Sequence, residues 1–165
     1  MKIINNKDEL YMQRNINEVE KVLSKYIDKL VYDYEIKLIY IFGSYAKEEN
    51  NENSDLDIAM YFENKIDGFA KLAILDELVG IFNREDIDLV ILNNADEVLK
   101  FQVIKYGKVI YMEDLITKVM FESRVMSEYM DMDYFRKVRE EYSHKRFLEI
   151  MKDVHNSTLY KEDLE

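Results

Sequence analysis

Residues 39–62 read IYIFGSYAKEENNENSDLDIAMYF: an apolar run, Gly43-Ser44, a loop rich in Asn and Glu, then Asp55-x-Asp57 opening a second apolar run. Apolar runs of this length, bounded by turn-forming residues, read as buried strands. If the two pair antiparallel across the loop, Gly43-Ser44 and the aspartates meet at one shared end. Asp55 and Asp57 lie two apart on a strand, so both side chains project from the same face. Chemistry is expected at that end.

Working outward, Ile16, Val19, Val22, Leu23, Tyr26, Ile27 and Leu30 recur at three- and four-residue steps, which predicts one amphipathic helix from Asn15, with Asn15 and Glu18 as a capping pair. On the other side, Phe69, Leu72, Ala73, Leu78, Val79 and Phe82 predict a second helix facing the core. The stretch EDIDLVILN then supplies a third strand over Ile87–Leu92. Strand, helix and strand in one sheet imply a right-handed parallel crossover, which starts the third strand on the edge that carries Asp55 and Asp57. A helix from about Asp96 to Tyr106, ended by Gly107 as a left-handed cap, and a short strand over Lys108–Met112 complete an α/β fold: a four-stranded mixed sheet with helices on its faces. A C-terminal helix follows through Leu115–Tyr129 with no breaker after Glu113, and a last helix over about Tyr134–Met151 follows or continues it. The Met126, Tyr129 and Met130 stripe is expected in the core, and Arg136, Arg139 and Arg146 are expected to pair with Glu140 and its neighbours. The chain reads as a single domain, 1–165, with a core of about 15–150 and a tail that frays from about Asp153.

Composition narrows the function. With 48% hydrophobic residues the chain can bury a core. A formal charge of -11 repels a phosphate backbone, so nucleic acid is disfavoured, and a basic protein or a small ligand carried in with metal cations fits better. The absence of cysteine excludes disulfides and thiolate metal sites, and His144 and His155 lack zinc-ligand spacing. No apolar run reaches the length of a membrane span and the N-terminus lacks a signal-peptide core, so no membrane association and a cytoplasmic location are expected.

The site residues themselves suggest a reaction. Asp55 and Asp57 can share hard cations such as Mg²⁺, and Asp88 can complete the set. Asp86 has the same parity as Asp88 and competes with it, but only Asp88 lies between the apolar residues Ile87 and Leu89. Gly43 allows a phosphate close to the backbone, Ser44 can offer its hydroxyl, and Lys47, one turn on, can add a positive charge or simply be solvated. Tyr45 can flank a nucleotide or pack in the core. Anion-binding groups beside carboxylates need metal between them, which points to phosphoryl or nucleotidyl transfer. An EF-hand loop would need a glycine that NSDLDIAMYFEN lacks, and no Gly-Lys-Ser/Thr follows Gly43 to make a P-loop.

Gly43-Ser44, ten intervening residues and Asp55-x-Asp57 resemble the signature of the polymerase β-type nucleotidyltransferase superfamily. With the Asp88 strand, GKVIYMED at 107–114 and YFRKVREEY at 134–142, the chain resembles the MntA-type family of minimal nucleotidyltransferase antitoxins. The resemblance implies two Mg²⁺ ions held by Asp55, Asp57 and Asp88, ATP as donor, and AMP transfer to a tyrosine hydroxyl of a HEPN-family toxin. It departs from the pattern at Glu48, where relatives often carry glycine. Two other activities share these residues: adenylylation of a small molecule of the aminoglycoside kind, and neutralisation of a partner by binding alone.

Overall fold

The computed structural model describes residues 15–51 and 53–162. The N-terminal segment in which the absence of a signal peptide was expected lies largely outside them. The described chain divides into two compact units, one ending at Met126 and the other beginning at Ser127.

The first unit is built on strands β1 (Ile36–Ile41), β2 (Leu56–Phe62), β3 (Ile87–Ile91) and β4 (Lys108–Met112), in the order β3-β2-β1-β4. β1 pairs antiparallel with β2, placing Ile41 opposite Ile58, and antiparallel with β4; β2 and β3 run parallel, placing Asp57 opposite Asp88. The mixed sheet is therefore the one the sequence predicts. The strands alternate two apolar faces. Ile39, Ile41, Ile58, Met60 and Leu89 pack with α1 (Ile16–Leu23), α2 (Ile27–Tyr34), the one-turn α3 (Gly43–Ala46) and α4 (Gly68–Phe82). On the reverse face, Leu38, Tyr40 and Ala59 pack with Val103 of α5 (Glu97–Tyr106) and with Phe121 and Val125 of α6 (Leu115–Glu162).

Several elements differ from their sequence reading. The single helix predicted from Asn15 is two, because Lys25 and Tyr26 donate to the carbonyls of Val22 and Leu23 and Ser24 Oγ donates to the carbonyl of Lys21, tightening the chain into a turn. The Asn15 cap is present, with its side chain accepting from the Asn17 N–H. In α4 the buried row is Ile74, Leu78 and Phe82, spaced by four, whereas Phe69 and Leu72 are 86% and 63% exposed. Apolar residues lie nearly all round this helix, so periodicity singles out no face. Gly107 ends α5 with extended backbone, φ -77°, rather than a left-handed cap. Its lack of a side chain serves packing instead, since a Cβ there would stand 2.4 Å from the carbonyl oxygen of Val103.

α6 is one helix from Leu115 to Glu162, so the last helix continues the preceding one, and it runs past Asp153, where the apolar pattern lapses. No proline or glycine follows Gly107 to stop it. From Ser127 onward the second unit is, among the described residues, this helix alone. Of the stripe expected in the core, Met126, at the end of the first unit, and Met130 are exposed, and Tyr129 is half-buried. The ion pairs described there are made by Lys137 with Asp133 (2.7 Å) and Lys145 with Glu141 (3.0 Å), while the Arg136 guanidinium lies over the Tyr129 ring at 5.8 Å.

Candidate active site

β1 ends at Ile41, and the chain turns sharply at Gly43, whose φ of +66° is a left-handed conformation that glycine adopts without strain. The turn lies directly against β2. The Phe42 N–H donates to the Asp57 carbonyl at 3.0 Å, and a Cβ on Gly43 would stand 2.0 Å from Asp57 Oδ2. Gly43 thus leaves the space that the Asp57 carboxylate uses. Ser44 follows in the first turn of α3, and its carbonyl accepts from the Glu49 N–H at 3.0 Å.

Asp57 and Asp88 are partners in the parallel β2/β3 ladder, so their side chains leave adjacent strands on one face, the face of Ala59 and Val90. Asp55, two residues before Asp57, shares that parity. Burial holds the Asp57 carboxyl above the ordinary carboxylate range, and the negative charges of Asp88 and then Asp55 push the same way. Among the described residues no three acidic or histidine side chains close on one point as an all-protein metal cage would. Magnesium does not ask for one: it takes one or two carboxylates together with phosphate oxygens and water. An all-oxygen donor set with mutually repelling carboxylates beside a cradle free of side chain fits Mg²⁺ on those grounds.

Asp86, the competitor of Asp88, is occupied elsewhere. Arg84 grips both its carboxylate oxygens, from Nε to Oδ1 at 2.7 Å and from Nη2 to Oδ2 at 2.5 Å, and these bonds hold the Asp86 carboxyl below its usual range. The same guanidinium donates to the Tyr45 hydroxyl at 2.6 Å and to the Ser54 carbonyl at 2.8 Å. Arg84 therefore ties together α3, the loop entering Asp55 and the start of β3. Sequence reasoning passed over it, and its only linear signal is its place two residues before Asp86. Tyr45 is buried, as its packing alternative had it. Lys47 is exposed, with its ammonium 5.7 Å from the centre of the Tyr106 ring. Lys105 also lies over that ring, and its hydrogen bond, with a smaller contribution from Lys47, draws the Tyr106 phenol below its ordinary pKa. This cationic and aromatic group on α5 was not anticipated from the sequence.

Residues 17–116 match the family described as Polymerase beta, Nucleotidyltransferase. The chain belongs to the polymerase β nucleotidyltransferase family. Within it, the chain is 38% identical over 96 residues to the protein adenylyltransferase MntA of Shewanella oneidensis, covering 58% of this chain and 64% of that protein, less than two thirds of its length. It is 35% identical over 81 residues to the putative protein adenylyltransferase MJ1215 of Methanocaldococcus jannaschii, covering 49% of this chain and 93% of that one. Among solved structures it is similar to a toxin-antitoxin complex with AMP-PNP (TM-score 0.62, 30% identity, 72% of this chain and 93% of the other). It is also similar to the complex of a tri-AMPylated Shewanella oneidensis HEPN toxin with its MNT antitoxin (TM-score 0.59, 28% identity, 72% and 93% covered). The nucleotidyltransferase match contains Gly43, Ser44, Asp55, Asp57 and Asp88, and ends within the first turn of α6.

Proposed function

We propose that this nucleotidyltransferase moves AMP from ATP to a hydroxyl of a partner protein, a tyrosine of a HEPN-family toxin, and acts as the antitoxin of that pair in the cytoplasm. The observation that carries the reading is the Gly43 turn seated against Asp57, with Asp88 beside it on the next strand. The relatives' adenylyltransferase names and the AMP-PNP and tri-AMPylated complexes support the donor and the acceptor class. No helix among the described residues is long and apolar enough to cross a membrane.

Asp55, Asp57 and Asp88 are the residues to hold Mg²⁺, and Gly43 and Ser44 those to receive the β- and γ-phosphates, with Lys47 as a further cation near them. Bound there, magnesium neutralises phosphate charge and makes the acceptor hydroxyl more acidic. The acceptor oxygen bonds to the α-phosphorus, the bond from that phosphorus to its bridging oxygen breaks, and pyrophosphate leaves with the electron pair. Asp88, the exposed member of the Asp57–Asp88 pair, takes the hydroxyl proton on its carboxylate.

The test is the intact mass of a HEPN partner incubated with the protein, Mg²⁺ and ATP. Each transfer should add about 329 Da, AMP less water, with pyrophosphate released. Asp57→Ala should leave that mass unchanged while the fold survives, a loss of roughly three orders of magnitude or more for removal of the main electrostatic stabiliser. Equal inhibition of the partner by wild type and Asp57→Ala, with no mass gain, would assign neutralisation to binding alone. Adenylylation of only an added amino-sugar would move the acceptor to the small-molecule class.

A further inference from the structure

We infer that Lys105 and Tyr106, at the end of α5, complete the donor site together with Lys47: the two ammonium groups hold the terminal phosphates of ATP and then the leaving pyrophosphate, and the Tyr106 ring keeps both ammoniums in place. This rests on the reading above of ATP as the donor. Groups at one end of the sheet follow a fixed order. Ile41, the last residue of β1, lies opposite Ile58 of β2 on one side and Lys108 of β4 on the other, and Asp57 of β2 lies opposite Asp88 of β3. Asp88, Asp57, the Gly43 turn and the end of α5 therefore succeed one another across that end, at about 4.8 Å per strand. Gly107 fixes the last of these. A Cβ on it would stand 3.2 Å from the Ile41 carbonyl oxygen, so the residue after Tyr106 lies against the strand that leads into Gly43. α5 packs Val103 with Tyr40 and Ala59, on the face that Asp57 and Asp88 share.

Transfer of AMP proceeds in line, with the entering oxygen and the leaving pyrophosphate on opposite sides of the α-phosphorus. With the acceptor proton taken at Asp88, the leaving group points the other way along the sheet end, past Gly43 and Ser44 and toward α5. Two cations stand there, on separate elements. Lys47 caps α3 and places its ammonium 5.7 Å from the centre of the Tyr106 ring, and Lys105, in the last turn of α5, places its own 4.8 Å from it. All three side chains are exposed, Tyr106 by 46%. A lysine in a last helical turn complements the helix dipole, but the dipole does not account for Lys47 reaching the same ring from another element. Like charges brought to one ring repel, and the face of one exposed ring offsets that only in part. A pyrophosphate removes the repulsion. Its charge grows as the bond to the α-phosphorus breaks, so cations at this end stabilise the transition state more than bound ATP. The Tyr106 hydroxyl accepts a hydrogen bond from Lys105, which fixes that ammonium beside the ring. In a chain of formal charge -11, these cations also counter a surface that otherwise repels polyphosphate.

Probing the two ends of the donor separately tests this. Mg·AMP-PNP, Mg·pyrophosphate and AMP are titrated calorimetrically into wild type, Lys105→Ala, Lys105→Arg, Tyr106→Leu and Lys65→Ala. Lys65 is exposed and lies beyond Phe62, the end of β2 away from Asp57, so its variant removes the same charge at the far end of the sheet. Lys105→Ala should weaken Mg·AMP-PNP and Mg·pyrophosphate alike by about tenfold, the worth of one charge-assisted contact, and leave AMP affinity unchanged. Lys105→Arg should restore most of the loss, and Lys65→Ala should match wild type. Tyr106→Leu, which loses the ring, should weaken both phosphate ligands by about two- to fivefold. Equal affinity of wild type and Lys105→Ala for Mg·pyrophosphate overturns the proposal and leaves AMP transfer standing. An equal loss for AMP overturns it too, since Lys105 would then act through the fold, and an equal loss in Lys65→Ala would reduce the effect to net charge. Failure of wild type to bind Mg·AMP-PNP at all removes the donor reading along with the proposal.

Discussion

Gly43 shows how little room the site leaves. Alanine there would need the left-handed φ of +66° and would set its Cβ 2.0 Å from Asp57 Oδ2. The backbone term alone is about 1–2 kcal/mol, and the carboxylate must move by an ångström or more to escape the clash. Gly43→Ala should therefore lower transfer by about a hundredfold, measured as pyrophosphate release, with a loss of thermal stability too small to explain it. Glu48 presents the opposite case. It has φ +58°, a conformation in which a side chain is strained. Glu48→Gly should raise stability by up to about 1 kcal/mol in denaturant unfolding, because removal of the Cβ relieves that strain while the greater freedom of the unfolded chain offsets part of it. The spacing from Gly43 to Asp57 was legible in the sequence because strand parity and the loop length fix it. That Gly43 is needed by Asp57 itself, as well as by an approaching phosphate, was not legible: the contact joins residues fourteen apart through a turn whose conformation no local pattern specifies.

Elements in this fold are held in place by side chains that the linear pattern does not advertise. Arg84 is the main case, joining α3, the Asp55 loop and the start of β3 with one guanidinium whose side chain is only 10% exposed. Lysine would keep the charge and lose the fork that reaches Asp86, Tyr45 and Ser54 together. Arg84→Lys is expected to destabilise the protein by about 1–3 kcal/mol in thermal or chemical unfolding, with a larger proportional loss of transfer because β3 carries Asp88. A variant as stable as wild type would show that the three segments hold their places without it. Periodicity located the strands and α5 to within a residue or so. It failed for α4, whose apolar residues surround the helix, and for the α1–α2 break, which side-chain and backbone hydrogen bonds at residues 24–26 impose.

At the scale of the whole molecule, charge governs approach to a partner. A chain of formal charge -11 should attract a basic protein over distances comparable to the Debye length, about 10 Å at 0.1 M salt. Association with a basic HEPN partner, followed by stopped-flow fluorescence, should slow by about tenfold between 0.05 and 0.5 M NaCl while dissociation changes little. An association rate indifferent to salt would remove charge steering from the reading of the partner.

The sequence by itself determined the α/β architecture, the mixed four-stranded sheet and the end of the sheet at which Asp55, Asp57 and Asp88 gather. Alternation along strands and the handedness of a parallel crossover leave few other arrangements. Tertiary structure decided that Asp86, the competitor of Asp88, is claimed by Arg84. It decided that Gly107 is required by a carbonyl of the preceding turn rather than by a left-handed backbone. It also decided that the apolar residues of α6 at Met126 and Met130 are exposed. Each of these depends on what another segment brings alongside, a long-range fact that propensity and period do not encode.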